Sequence, residues 1–207
     1  LALYGKQTRP LPKLLEYASE VRVPGITNNE SGAVAFLEDL PIDLRSEGDE
    51  WRRWVDLTDD EKRTVASALL QRALERGVPP GKAEGLVGTT YTLTDEEPGT
   101  TLRDASEFST LLNATARYER ADVGLGVCLG DRGDAFERAR RLLENHRRNL
   151  SEGLERVKRE GVESAEHLQY FDAGTEIRET IVGIVAGMVL GVEGVDGSRP
   201  IVAFARK

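Results

Sequence analysis

The sequence predicts a helix-rich α/β fold, in which a helical region with a long connecting helix precedes a strand–helix–strand unit. Apolar residues recur at helical spacing through most of the 207 residues. One such pattern runs without a break over residues 134–160. The end of the chain instead has two short extended stretches around one apolar helical pattern. These patterns predict three parts: residues 1–100, residues 101–160 and residues 161–207.

The first part is predicted to be helical, with one short strand. Two helices are expected before residue 45, separated by a break at Pro24-Gly25. Thr58 and Glu61 have the spacing of a capping box and predict the start of a third helix, which Gly77 ends. Residues 88–94 are β-branched and aromatic, which favours a strand or an extended segment.

The connector between the second and third helices holds both tryptophans of the chain, Trp51 and Trp54. Two interpretations are open for them. They anchor a packed turn, or they stack on nucleic-acid bases.

The second part opens with a helix that begins at Asp104 and Glu107, where acidic side chains suit free N–H groups and the helix dipole. Its buried face is predicted to be formed by Phe108, Leu111 and Leu112, and a Gly-rich apolar helix follows. Asn113 and Arg117 are four residues apart and therefore share one face of the first helix.

The long connecting helix is predicted to start at Asp134 and to end before Gly161. Residues 131–160 contain nine Arg or Lys and seven Asp or Glu, a net charge of +2 in a chain of net charge −8. The densest basic cluster comprises Arg140, Arg141, Arg147 and Arg148. This helix face is either solvated and laced with opposite charges, or it is one wall of a nucleic-acid groove.

The third part is predicted to be a parallel strand–helix–strand unit. The strands are expected at residues 167–173 and 199–206, with a helix from the cap Thr175 to about Leu190. Gly183, Gly187 and Gly191 recur every four residues, which favours close packing of this helix on the sheet.

Composition favours a cytoplasmic protein without a membrane partner. No apolar run approaches the roughly 20 residues that cross a bilayer. The single cysteine, Cys128, lies among apolar residues and is predicted to be a small core residue. The chain begins without Met and ends in an apolar run, so we expect an internal segment of a longer protein.

Several stretches resemble one family. Asn113-Ala114-Thr115-Ala116-Arg117 is similar to an Asn-Ala-x-Gly-Arg signature of RecJ-like single-strand-specific exonucleases, in the archaeal branch of the DHH phosphoesterase superfamily. Ala116 replaces the usual glycine. Residues 8–17 and 23–40 resemble the region just after the catalytic domain of these proteins, and residues 168–206 resemble the first half of their DHHA1 domain.

The resemblance implies a parent exonuclease that degrades single-stranded DNA or RNA in DNA repair or replication. Such enzymes use manganese or magnesium, held by an Asp-x-Asp, an Asp-His-His and further Asp residues. This chain has two histidines, His146 and His167, and no Asp-His-His, so the resemblance places the metals upstream. No catalytic residue and no metal ligand is therefore assigned here. The candidate nucleic-acid contacts are Asn113, Arg117, Arg120, Arg147 and Arg148. For Arg117 a salt bridge between helices is the competing interpretation.

Two other functions remain open. The resemblance extends to a replication scaffold that acts beside GINS and the replicative helicase, in which the helix-rich residues 14–77 would bind the protein partners. A small-nucleotide phosphodiesterase of the same superfamily is the other alternative. Intact metal ligands in the parent would favour a nuclease, and lost ligands would favour the scaffold.

Overall fold

A computed structural model gives the fold and describes residues 1–192 and 194–207. The chain divides into two compact units, Leu1–Ser109 and Thr110–Lys207. Helices predominate in both units, and the second also contains a small sheet. The three-part division at residues 100 and 160 stays a prediction.

The first unit is built mainly from α1 (Leu11–Glu16), α2 (Glu30–Glu38), α3 (Asp59–Glu75) and α4 (Pro80–Ala83). Short 3₁₀ turns lie at Trp54–Asp56 and Glu84–Leu86. Helices α1 and α2 confirm the predicted pair, and Gly25 between them has a φ of 84°, which a side chain rarely tolerates.

The capping box at the start of α3 is confirmed by both of its hydrogen bonds. Glu61 N–H donates to Thr58 Oγ1 at 3.3 Å, and Thr58 N–H donates to Glu61 Oε2 at 2.7 Å. The pair satisfies two N–H groups that a helix start leaves free. Arg52 also donates to both carboxylate oxygens of Glu61, at 2.9 Å each, and this ion pair fixes the preceding connector to α3.

The core of the first unit lies between α1, α2 and α3. Trp51 and Trp54 are half-buried against it, which confirms the packed-turn interpretation, and the Arg45 guanidinium lies 3.9 Å from the Trp51 ring. The apolar spacing of α3 also predicts burial of Leu74, but this side chain is 44% exposed because it lies beyond the edge of the buried stripe. The buried core includes Leu11, Leu14, Leu15, Phe36, Leu37, Val65, Leu69 and Ala73.

Residues 88–94 form an extended segment and no strand of a described sheet. Its ladder is limited to a single bridge between Thr92 and Asp104, with the Leu93 N–H donating to the Arg103 carbonyl at 2.8 Å. Side-chain propensity favours extension here, but a strand also requires a neighbouring strand to pair with.

Helix α5 (Ala105–Arg117) begins in the first unit and ends in the second. The second unit continues with α6 (Ala121–Cys128), α7 (Asp134–Glu160) and α8 (Glu179–Val189). Helix α7 has both of the predicted ends. Its 27 residues span about 40 Å at 1.5 Å per residue, and Gly161 ends it with a φ of 85°.

The sheet of the second unit has the order β1-β2-β3, formed by Glu163–Ser164, Gln169–Asp172 and Ile201–Phe204. Strands β2 and β3 are parallel, with Gln169 opposite Ile201, so the predicted strand–helix–strand unit is confirmed. The short β1 pairs antiparallel with β2 and was not predicted, because two exposed residues give no periodic signal.

The start of α8 was predicted too early. The helix begins at Glu179 with Arg178 as its cap residue, whereas Thr175 lies in a turn. Asp172 Oδ1 accepts from the Gly174 N–H at 2.8 Å, and Gly174 has a φ of 56°. This local bond holds the chain in a turn that a helix starting at Thr175 would break.

Two predictions about small residues are wrong. Cys128 is exposed, because α6 buries the face that carries Val123 and Val127. Gly183 and Gly187 face open space, since a Cβ added at either would meet no atom of the described residues within 4 Å. Helix α8 instead packs through larger side chains: Ile181, Val185, Ala186 and Val189.

Candidate nucleic-acid interface

All five predicted contact residues lie in the second unit, at the end of α5, before α6 and on α7. Asn113 is exposed on α5, as is Ala116, the residue that stands in place of the usual glycine. Arg117 is half-buried and its Nη1 donates to the backbone carbonyl of Thr180 in the first turn of α8. This bond ties the end of α5 to α8, so Arg117 does join two helices. Its partner is a backbone carbonyl, whereas the competing interpretation expected an acidic side chain.

Arg120 is engaged by a neighbouring carboxylate. Its Nε and Nη2 each lie 3.0 Å from an oxygen of Asp122, and Arg138 from α7 reaches the same group at 3.5 Å. The hydrogen bond from Arg120 lowers the pKa of Asp122, so the acid stays ionised at neutral pH. A phosphate would therefore have to compete with Asp122 for Arg120.

Tyr118 connects the end of α5 to α7. Its hydroxyl oxygen accepts from Asn149 Nδ2 at 2.6 Å, and its ring meets the His146 ring edge-on at 6.0 Å. The Arg178 guanidinium lies 5.0 Å from the centre of the Tyr118 ring, a cation–π distance. Arg178 was missed because it is about 60 residues away in the sequence, and no spacing pattern relates it to α5.

His146 is a buried histidine on α7 whose ring lies against Tyr118. The side chain is 7% exposed, and its Nδ1 has no hydrogen-bond partner in the described part of the chain. Burial lowers the pKa of His146, and the positive charges of Arg117 and Arg147 lower it further. The neutral form of the His146 imidazole is therefore favoured.

Four arginines form an exposed stripe on α7, which we call the arginine stripe: Arg140, Arg141, Arg147 and Arg148. Residues seven apart lie on the same side of a helix, so 140 lies above 147 and 141 above 148. Arg140 donates to Glu137 at 2.9 Å and Arg148 to Asn145 at 2.8 Å, both within α7. The stripe remains accessible to a strand of nucleic acid, and it also fits a solvated helix face.

A groove of about 450 Å³ lies beside this region, between α7 and the segment before α8. Its arginines are matched by acids. Arg156 donates to Glu160 at 2.8 Å and also contacts Glu176. Because positive and negative side chains alternate along its walls, this groove offers no strong attraction for a polyanion.

The histidines do not fit a two-metal centre. His146 is buried against Tyr118, and His167 is exposed beside Glu166, at 3.6 Å. Within residues 1–192 and 194–207, no three His, Cys, Asp or Glu side chains converge as metal ligands would. None of the helices described there has the length and apolar character needed to span a bilayer.

Comparison with known proteins gives two matches. Residues 3–87 match the DHH-CID domain, a region that lies inside the first unit and covers less than half of the chain. The chain is also 25% identical over 185 residues to an uncharacterized protein of Methanocaldococcus jannaschii, which covers 89% of this chain and 36% of that protein. The chain thus spans little more than a third of the length of this archaeal relative. Residues 3–87 are therefore similar to a domain of DHH-family proteins.

Proposed function

We propose that this chain is a segment of a RecJ-like single-strand-specific exonuclease of the DHH superfamily, and that its second unit binds the phosphate backbone of the substrate. The superfamily part of the proposal is supported by the DHH-CID match at residues 3–87. The observation that carries the nucleic-acid part is the arginine stripe, four exposed arginines on one helix, α7.

The chemistry of the stripe suits a sequence-independent contact. A guanidinium offers parallel N–H donors that match two phosphate oxygens, and such contacts recognise the backbone and not the bases. Arg147 and Arg148 are exposed on adjacent positions, whereas Asn113 adds an amide that can donate or accept near the end of α5. In this proposal Arg117 positions the end of α5 through Thr180 and keeps its remaining N–H groups for a phosphate.

The phosphodiester would be cleaved outside this chain. The residues described here do not fit a manganese or magnesium site, and we place the metals in an upstream part of the parent protein. When bound there, such ions would polarise the phosphate and lower the pKa of the attacking water. The contribution of this chain is to hold the strand.

Charge reversal on α7 tests the proposal. The variant Arg147→Glu with Arg148→Glu is compared with Lys62→Glu with Arg63→Glu, an adjacent basic pair on α3 that changes the net charge equally. We expect the first to weaken binding of fluorescent oligothymidylate by about tenfold or more at low salt. The slope of affinity against salt should fall by about 1.4 for two lost phosphate contacts. Equal affinity and slope for both variants would assign the stripe to solvation.

The replication scaffold is a second candidate, and one observation favours it. Residues 14–77, where the scaffold would bind its protein partners, lie in the first unit. The first unit also has 13 Arg or Lys against 20 Asp or Glu, which disfavours wrapping by a nucleic acid. An intact Asp-His-His set in the parent gene supports the nuclease, and a degenerate set supports the scaffold that acts with GINS.

A further inference from the structure

The first unit has a groove with an excess of positive charge, which we call the basic groove. It lies between the turn after α1 and the turn that joins α3 to α4, and its volume is about 670 Å³. Its positive side chains are Arg22, Arg76 and Lys82, and its apolar ones include Val21, Val78 and Pro79. The volume is within the range of roughly 300–1,000 Å³ that is usual for ligand sites.

The three cations of the groove are not neutralised. Arg22, Arg76 and Lys82 are exposed, and no ion pair or side-chain hydrogen bond engages them in the part of the chain that the structure describes. The one carboxylate of the lining, Glu20, is turned toward backbone donors. Its Oε1 accepts from Tyr4 N–H at 3.2 Å and its Oε2 from Ser19 N–H at 3.0 Å.

Other cations of the same unit are paired, which makes the groove unusual. Lys13 lies 2.8 Å from Glu30, Arg52 lies 2.9 Å from Glu61, and Arg63 lies 2.8 Å from Asp60. The unit has enough acidic side chains to form such ion pairs in the groove as well. A cation at the end of α3 is favoured by the helix dipole, and this explains Arg76. It does not explain why Arg22 converges on the same place from another segment.

The lining favours a peptide over a nucleic acid. Sites for single strands stack bases on aromatic rings, and among the described residues no aromatic side chain lines this groove. Val21, Val78 and Pro79 offer an apolar wall, which suits aliphatic side chains better than a phosphodiester backbone. A long polyanion would extend beyond the groove and be repelled by the acidic side chains of the unit that lie within a Debye length of about 10 Å. A short acidic segment would contact only the three cations of the groove.

We propose that the basic groove docks an acidic segment of a partner protein, with carboxylates against Arg22 and Lys82 and an aliphatic side chain against Val78 and Pro79. Charge complementarity of this kind sets which partner binds and how fast it associates. The groove lies within the region that matches the DHH-CID domain. The inference does not rest on strand binding by α7, because the residues belong to different units.

The test uses the whole chain and a fluorescent peptide that repeats Glu-Leu-Asp-Glu, with a Gln-Leu-Asn-Gln peptide as the neutral control. We expect saturable binding of the acidic peptide and much weaker binding of the neutral one. Arg22→Glu with Lys82→Glu should weaken binding by about tenfold or more, since like charges then face the peptide. The matched charge reversal on α3, Lys62→Glu with Arg63→Glu, should leave the affinity within about twofold.

A second variant protects the result against a folding defect. Arg22→Gln with Lys82→Gln removes the charges without adding repulsion and should give an intermediate affinity, with unchanged circular dichroism and thermal midpoint. Equal peptide affinity in the groove and α3 variants would overturn the inference, as would no saturable binding by the wild type. Loss of oligothymidylate binding or of self-association in the groove variant, without peptide binding, would identify another occupant and also overturn it.

Discussion

At the scale of single residues, the most constrained acid of the first unit is Glu107. Its side chain is fully buried, and its carboxylate accepts from Gln7 N–H at 2.9 Å and from Thr8 Oγ1 at 2.5 Å. Both donors lie in the N-terminal loop, so Glu107 fixes this loop to the start of α5. The sequence predicted a carboxylate that favours the helix dipole, and nothing local indicated that a loop about 100 residues away covers it.

Glu107 predicts a rise in stability as the pH falls. Burial raises its pKa above the usual 4.5, and the charge of Asp104 adds to this, against the hydrogen bonds from Thr8 and Gln7. Since the folded state takes up a proton at a higher pH than the unfolded state, stability is gained as the pH falls through the raised pKa toward 4.5. Relative to Glu107→Gln, the wild type should become more stable in urea titrations between about pH 7 and about pH 5.

The control for this prediction is Glu144→Gln, which changes an exposed acid on α7. Its stability difference from the wild type should stay nearly constant over the same pH range. A constant difference for Glu107→Gln as well would show that the buried carboxyl is ionised alike in the folded and unfolded chains.

His146 predicts the opposite pH dependence in the second unit. Burial, Arg117 and Arg147 lower its pKa below the usual 6.5, so the unfolded chain takes up the proton first as the pH falls. The stability that the chain has with a neutral His146 is therefore retained above about pH 6.5 and decreases progressively below it. The wild type should lose stability relative to His146→Leu on acidification. His167→Leu, at an exposed histidine, is the matched control and should show no such trend.

At the scale of elements, two glycines that look alike in the sequence have opposite roles. Gly161 ends α7 with a φ of 85° and a ψ of 178°, a conformation almost restricted to glycine. Gly183 lies inside α8, and a Cβ there would meet no atom within 4 Å in the part of the chain that the structure describes. Gly161→Ala should destabilise the chain by about 1–3 kcal/mol, whereas Gly183→Ala should stabilise it by roughly 0.5–1 kcal/mol.

Denaturant titrations of the two variants check this prediction, because both replace glycine by alanine in an exposed position. If Gly161→Ala were neutral, the end of α7 would relax without cost into an ordinary conformation. If Gly183→Ala were destabilising, the open face of α8 would be covered in solution.

The elements that were predicted well are those whose signals are local. Helix α7 has its acidic start, its apolar period and its terminal glycine within the same residues, and Thr58 with Glu61 forms a complete capping box. The start of α8 depends on a turn held by Asp172, and no described strand lies beside the extended residues 88–94. Both features depend on tertiary contacts, which a local sequence pattern does not predict.

Among the candidate sites, too, the one formed by residues close in sequence is the one that the sequence predicts. The arginine stripe is visible in the sequence because its residues share one helix. Arg178 reaches Tyr118 only through the packing of α8, and Arg22 approaches Lys82 only through the fold of the first unit. A site assembled from separate segments has no spacing by which it can be recognised.

At the scale of the whole molecule, charge is divided unevenly. The first unit has 13 Arg or Lys and 20 Asp or Glu, whereas the second has 15 and 16. Acidic excess keeps a surface away from nucleic acid, and a near-neutral unit leaves a local arginine stripe effective. In the two proposals above, a local basic groove of the first unit binds a protein segment, and the arginine stripe of the second binds phosphates.

The whole chain is predicted to bind single strands without cutting them. Its two histidines are separated, one buried beside Tyr118 and one exposed beside Glu166, and the sequence has no Asp-His-His. Two-metal hydrolysis requires several oxygen and nitrogen ligands that hold both ions about 3.5–4 Å apart. With manganese, purified chain should therefore leave a fluorescent oligothymidylate at full length on a denaturing gel, while fluorescence anisotropy reports binding that weakens with salt. Shortening of the oligonucleotide that requires manganese, survives further purification and stops on chelation would mean that ligands on this chain assemble a centre of their own.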